Sequence, residues 1–304
     1  MVQPFFWLPV PVLLVVLLTS PWQPAPLASH ESFGLMAANA FLGYTLFNAI
    51  AAAVIAKTFL EQRRPGLLMM GCGAIIWNCS GLVGTVSGLG LFRETVDINS
   101  LITMHNCCLW GSSFCHLAGA GLSPKWQLSE GNGRAALATT YLLAGAVAGL
   151  IVVLAYSGGL PVFFIAGKGG TMVRQFVLGS AVAMLALAAL ILLWLNRSAS
   201  SALRWYPPAL MLLAIGVTGV LVQKVNGGWV GWLGRGTQSL GGFYLVIGAL
   251  VSHMVPLPEG VPFWRALTEM RQKWAISAAI AAVLVCMGAA ARLLLLPYLG
   301  GNFP

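Results

Sequence analysis

The sequence predicts an all-α fold, a polytopic bundle of about eight or nine transmembrane helices. Hydrophobic residues make up 59% of the 304 positions and charged residues only 8%, whereas about a quarter of the residues in a soluble domain are charged. The apolar residues also fall into long runs, and about 20 residues at 1.5 Å each suffice to cross a bilayer core of roughly 30 Å. Lipid is therefore expected to surround most of this chain.

Nine apolar runs reach this length or come close to it. They lie near residues 5–19, 33–56, 67–90, 100–121, 136–156, 174–195, 207–223, 232–254 and 275–297. The first run is short and precedes the proline-rich stretch Pro21 to Pro26, so a cleaved signal peptide is an alternative. A signal peptide begins with basic residues, and Met1 to Pro11 contains none. We therefore expect residues 1–32 to form an uncleaved first span and an outer loop.

The basic residues predict the orientation of the bundle, because Lys and Arg resist translocation across the membrane. With the N-terminus in the cytoplasm, ten of the sixteen basic residues fall in inside loops. Three of the other six, Arg174, Arg235 and Arg292, are expected within helices or at their ends. The sequence thus predicts a multi-pass protein of the bacterial cytoplasmic membrane whose N-terminus is cytoplasmic.

One change of composition predicts a boundary near residue 255. Pro256 to Pro262 precedes a segment whose apolar and basic residues alternate at helical spacing, as in a helix that lies on the membrane surface. We expect a main bundle at 33–254, a cytoplasmic amphipathic linker at 255–274, and the first helix of a second, incomplete membrane domain at 275–304. Pairs of glycines four residues apart, Gly84 with Gly88 and Gly145 with Gly149, are expected at close helix contacts.

Charge and cysteine usage exclude several classes of protein. The net charge is +9, but the basic residues are scattered between apolar runs, so no nucleic-acid partner is expected. All six cysteines fall inside apolar segments, where reduced thiols are expected and a secreted disulfide framework is not. No Asp or Glu lies in the middle of a predicted span, which argues against transport coupled to protons or sodium.

The span near 100–121 is the richest in polar side chains. His105, Cys108, Ser112, Cys115 and His116 follow each other at helical spacing and form one polar stripe, which should face the interior because polar groups are costly in lipid. Asn106 lies beside this stripe. The preceding span offers a facing set, which comprises Cys72, Cys79, Trp77 and Asn78.

Three interpretations of this pair of spans stay open. In the first, the polar groups form ordinary interhelical hydrogen bonds and packing contacts. In the second, they bind either a metal such as Cu(I), at Cys72, Cys79, Cys108, Cys115 and His116, or a haem at a histidine. In the third, the histidines respond to protons. His105 and His116 lie about 16 Å apart along the helix, so they cannot share one metal ion.

A second group of polar residues follows Gly228. Trp229 and Trp232 are typical of the aromatic belt at the membrane surface. Arg235 and Gln238 then enter the helix, where a guanidinium could hold a carboxylate or another anion. The alternative is an arginine whose side chain extends to the interface. Glu94 or Asp97 is a candidate counter-ion for Arg235.

These residues resemble a known class of membrane domain. The Trp77–Asn78 pair, Asn99, Ser100, Thr103, His105–Asn106 and His116, and the stretch from Trp232 to Leu245, resemble the N-terminal multi-helix membrane sensor regions of bacterial sensor histidine kinases. The segment Arg292 to Pro304 resembles the opening helix of the small membrane domain of potassium-sensing histidine kinases.

The resemblance implies a sensory input region of a two-component system. It also implies a homodimer and a response regulator reached through a kinase domain, which this sequence does not contain, so we expect a fragment of a longer reading frame. No resident cofactor is expected. A redox subunit that binds haem or copper and a transporter are the alternatives. The candidate signal-sensing residues are His105, Asn106, His116, Arg235, Gln238, Trp77 and Asn78.

Overall fold

The structure is a computed structural model that describes residues 4–20, 33–89, 98–122, 128, 133–165, 169–195, 205–223 and 227–254. Its helices in chain order are α1 (Pro9–Thr19), α2 (Phe33–Asn39), α3 (Phe47–Gln62), α4 (Pro65–Gly88), α5 (Ile98–Leu122), α6 (Gly133–Tyr156), α7 (Met172–Leu195), α8 (Tyr206–Val222) and α9 (Trp229–Met254). A two-stranded antiparallel hairpin, β1 (Phe164–Ile165) and β2 (Gly169–Gly170), precedes α7. The predicted all-α class is confirmed.

The second span is one continuous helix with a change of winding. A π-helical segment, Ala40–Leu46, joins α2 to α3, and the apolar span runs from Gly34 to Gln62. It ends at Arg63, whose φ of 54° is left-handed, and α4 begins at Pro65. Proline suits the first turn of a helix because the amide hydrogen that it lacks would have no helical partner there.

Four helices of the described part are long and apolar enough to cross a membrane: Gly34–Gln62, Pro65–Ser87, Gly133–Tyr156 and Met172–Trp194. They indicate a membrane protein. Every predicted span that falls on described residues corresponds to a helix, but α1 and α8 are shorter apolar helices and α5 and α9 carry more polar residues. The expected eight or nine spans are therefore not confirmed, and the linker at 255–274 and the helix at 275–297 lie outside the described residues.

The helices pack in a closed circuit. In order around it, α3 packs on α4, α4 on α5, α5 on α7, α7 on α8, α8 on α9, and α9 returns to α3. Outside the circuit, α6 lies against α4 and α5, and α1 lies against α8. The helices around α8 bury each of its residues from Tyr206 to Gly219. Residues from distant parts of the sequence therefore meet in the interior of the bundle.

Glycines at one helix pair allow backbone contact. A Cβ added at Gly234 of α9 would lie 2.7 Å from the carbonyl oxygen of Gly216 and 2.9 Å from the amide nitrogen of Val220, both on α8. Only glycine permits so close an approach of two helices. The predicted pair Gly145 and Gly149 has no described atom within 4 Å of an added Cβ. These two glycines therefore do not mediate a helix contact within the described residues.

Candidate functional site

A group of aromatic and polar side chains meets inside the circuit, about 10 Å along α5 from its first residue. His105 Nδ1 is hydrogen-bonded to Ser80 Oγ on α4 at 2.6 Å. The ring of Tyr44, from the π-helical segment, lies 5.2 Å from the His105 ring and stacks at 5.6 Å on the indole of Trp77. Tyr44, Trp77, Ser80 and His105 are called the His105 cluster below. It joins three helices of the circuit.

Two asparagines stabilise the segment that carries Tyr44. Asn78 Nδ2 donates a 2.7 Å hydrogen bond to the carbonyl oxygen of Thr45. Asn48 Nδ2 donates to the carbonyl oxygen of Tyr44 at 2.9 Å. A π-helical turn departs from the regular ladder of helical hydrogen bonds, so side-chain donors at its carbonyls help to hold it. Trp77 and Asn78, both expected at the site, thus position Tyr44 from two sides.

Two arginines, Arg174 and Arg235, lie in the first two turns of α7 and α9. The guanidinium carbon of Arg235 lies 4.7 Å from the ring centre of Trp232, a cation–π contact. This end of the circuit therefore carries two positive charges.

Arg174 also stabilises the end of α8. Its Nη2 donates a 2.9 Å hydrogen bond to the carbonyl oxygen of Val220, one of the last carbonyls of that helix. A cation at a helix C-terminus is favourable because the helix dipole is negative there. The side chain is only 5% exposed, and its Nε has no hydrogen-bond partner among the described residues.

The segment that contains the β1–β2 hairpin is held against this end of the bundle. Asn99 Oδ1, at the start of α5, accepts hydrogen bonds from the backbone amides of Phe163 and Phe164 at 3.1 and 3.0 Å. Thr171 Oγ1 donates to the carbonyl oxygen of Val162 at 2.8 Å. A Cβ added at Gly170 would lie 2.6 Å from Arg174 Nη1. The hairpin therefore packs directly on the Arg174 guanidinium.

The second histidine of α5 makes a separate contact, about 16 Å from His105 along the helix. His116 Nδ1 is hydrogen-bonded to the hydroxyl of Tyr206 at the start of α8, at 2.9 Å. His116 is fully buried. Its Nε2 faces α4, where a Cβ added at Gly73 would lie 3.0 Å away. This contact joins α5 to α8 across the interior of the circuit.

The five proposed metal ligands do not converge on one site. Within the described residues, no three His, Cys, Asp or Glu side chains are placed to hold one metal ion. Cys72, Cys79, Cys108 and Cys115 are free thiols in an apolar cluster formed by α4, α5 and α6. Cys72 Sγ donates a weak bond to the carbonyl oxygen of Thr140 at 3.7 Å. The cysteines therefore pack among apolar side chains in the part of the chain that the structure describes.

The two remaining candidates are buried amides. Asn106 is 2% exposed and Gln238 is 1% exposed. Asn106 Nδ2 and Gln238 Oε1 have no hydrogen-bond partner among the described residues. Gln238 packs against α8, where a Cβ added at Gly216 would lie 2.6 Å from its Cγ. Glu94 and Asp97, the expected counter-ions of Arg235, lie outside the described residues.

Sequence reasoning missed four residues that the structure brings to these contacts: Tyr44, Ser80, Tyr206 and Arg174. Ser80 follows Trp77 by three positions and so shares its helix face, which could have indicated it. Tyr206 begins a helix and precedes two prolines. Nothing in the local sequence marks Tyr44, because the π-helical segment sets its direction.

We found no match to the chain among protein-family models, curated proteins or solved structures. The resemblance to sensor histidine kinases therefore rests on the sequence motifs alone.

Proposed function

We propose that this chain is the membrane-embedded sensory input region of a bacterial two-component sensor histidine kinase. In this proposal eight spans of the described part cross the cytoplasmic membrane with the N-terminus inside, and the chain works as a homodimer that passes its signal to a kinase domain and a response regulator. The His105 cluster then lies toward the outer surface, and the His116–Tyr206 contact lies toward the cytoplasm.

The observation that carries the proposal is the placement of two interhelical polar contacts on one helix. α5 holds His105 against α4 and the Tyr44 segment, and it holds His116 against α8. A rotation or shift of α5 would alter both contacts together. Small movements of packed helices are a common way for a signal to cross a bundle, and a ligand drives such a movement when it favours one arrangement.

The redox alternative fits His116 less well. Haem ligation uses one imidazole nitrogen and needs space for the iron beside it. His116 Nδ1 is bonded to Tyr206, and the backbone of α4 at Gly73 closes the space beside Nε2. The surroundings of the His116 ring thus support an interhelical contact.

The proposal is tested by joining residues 1–274 to the cytoplasmic core of a histidine kinase and measuring autophosphorylation in membranes. We expect His105→Gln and His116→Gln each to change the output several-fold, because each removes one of the two contacts on α5. Leu142→Ala, a change at an exposed position of α6, serves as the control. Equal output from all three variants and the parent would contradict the proposal.

A further inference from the structure

The π-helical segment that carries Tyr44 has the features of an element with two arrangements. We propose that Ala40–Leu46 switches between π and α winding, and that α2 turns against α9 when it does so. The inference deepens the proposed function, on which its role in signalling rests, by naming the helix that moves when the His105 cluster is disturbed. The winding itself is measurable without any kinase output.

A threonine of the segment lacks the hydrogen bond that α winding would give it. In a regular helix a buried threonine hydroxyl can bond to the carbonyl oxygen four residues earlier, as Thr58, Thr218 and Thr237 do at 2.9, 2.8 and 2.7 Å. The buried hydroxyl of Thr45 has no partner in the described part of the chain. A π turn closes its bonds over five residues, which takes the carbonyl of Phe41 out of its α-helical position. An α turn would therefore restore this bond.

Two asparagines act on the carbonyls of the same segment. Asn78 Nδ2 reaches the carbonyl oxygen of Thr45 from α4 at 2.7 Å, which favours the π winding. Asn48 Nδ2 lies 2.9 Å from the carbonyl oxygen of Tyr44 and 3.4 Å from that of Gly43, the carbonyls four and five residues before it. One donor thus lies between the acceptor of an α turn and the acceptor of a π turn. Hydrogen bonding therefore favours the α winding at the Thr45 hydroxyl and the π winding at the Thr45 carbonyl.

The change of winding moves α2 and leaves α3 in place. α3 has 16 residues and packs on α4 and α9, whereas α2 has only seven residues. Converting the segment from π to α winding advances the helix by about one residue, roughly 100° and 1.5 Å. Ala40 would then occupy the place of Asn39, whose Oδ1 accepts a 3.0 Å hydrogen bond from the Ser239 hydroxyl of α9. The switch therefore exchanges the residue that faces Ser239.

Tyr44 connects this movement to the His105 cluster. Its ring centre lies 5.2 Å from that of His105 and 5.6 Å from that of Trp77, so a change of winding shifts the ring against both. The backbone of the segment packs closely on α4, because a Cβ added at Gly81 would lie 2.8 Å from the carbonyl carbon of Tyr44. A perturbation of His105 would thus reach α2 through the segment.

Cysteine pairs report which residue faces Ser239. Ser239→Cys is combined in the full chain with Asn39→Cys for the π winding, with Ala40→Cys for the α winding, or with Ala38→Cys as the control. Oxidation by copper phenanthroline in membranes forms the disulfides, and peptide mass spectrometry distinguishes them from links between native cysteines. We expect the link from position 39 to dominate, and the link from position 40 to be weaker but several-fold stronger than the link from position 38.

Two substitutions should shift the ratio of these links in opposite directions. Asn78→Leu removes the donor to the Thr45 carbonyl, so the link from position 40 should gain several-fold over the link from position 39. Thr45→Val removes the hydroxyl that only the α winding satisfies, so the same ratio should fall. The matched control is Thr58→Val, which removes a paired hydroxyl on α3 and should leave the ratio unchanged.

Two results would overturn the proposal. The first is a link from position 40 that is no stronger than the link from position 38, both in the parent and in Asn78→Leu. The second is a ratio that neither Asn78→Leu nor Thr45→Val changes. Thr45→Val keeps the branched shape of the side chain, so the test stays decisive if Asn78→Leu fails to fold. An exchange of links without any change in kinase output would refute the signalling role and leave the switch intact.

Discussion

The contact between α8 and α9 yields the most quantitative prediction. The substitution Gly234→Ala would place a Cβ 2.7, 2.9 and 3.1 Å from backbone atoms of Gly216, Val220 and Gly219. None of these atoms can move by a side-chain rotation, so the helices must separate by several tenths of an ångström to reach ordinary contact distances. Overpacking of this kind costs about 1–3 kcal/mol.

Gly236 provides the matched control, because it lies on the same helix with no described atom within 4 Å of an added Cβ. Alanine gains about 1 kcal/mol of helix propensity over glycine at either position, so this gain cancels in the comparison. In SDS titrations of purified protein, Gly234→Ala should be less stable than Gly236→Ala by about 1–3 kcal/mol. Equal stabilities would refute the close α8–α9 packing.

Two further substitutions test the polar contacts. Tyr206→Phe removes the hydroxyl that is hydrogen-bonded to His116. In the same SDS titration the variant should lose about 0.6–2 kcal/mol of unfolding free energy, the range for hydrogen bonds between membrane helices. An unchanged unfolding free energy would contradict the contact. Asn78→Leu leaves the carbonyl oxygen of Thr45 without its donor, so we expect faster amide hydrogen exchange in Ala40–Leu46 by mass spectrometry. Exchange at the wild-type rate would show that Asn78 does not hold the π-helical segment.

Composition and run length were enough to predict the helices, because a chain in lipid must satisfy its backbone hydrogen bonds within each segment. The number of spans was harder to predict. The polar residues that make α5 and α9 candidates for a functional site also lower the mean hydropathy of these helices, and α8 has only 17 residues. All three helices are therefore harder to count as membrane spans. Helix pairing could not be read from the sequence either: Gly145 and Gly149 have favourable spacing but no contact, whereas Gly234 packs tightly.

The sequence indicated several polar and aromatic residues of α4 and α5 but not how they are arranged. His105, His116, Trp77 and Asn78 lie at interhelical contacts. Their partners escaped sequence reasoning, because those partners come from segments far away in the chain. The spacing of cysteines and histidines along one helix does not show whether a facing helix presents its side chains at the same depth, so the sequence could not predict how these residues are arranged.

The most direct test of the sensory account asks whether the two ends of α5 are coupled. The chain has four histidines, so selective ¹⁵N labelling allows NMR to follow His105 and His116 separately in the wild type and in Ser80→Ala, which removes the hydrogen-bond partner of His105. The account predicts that the substitution shifts both resonances. A shift of His105 while His116 stays unchanged would show that a change at one end of α5 does not reach the His116–Tyr206 contact, and would contradict the proposal that this bundle relays a signal.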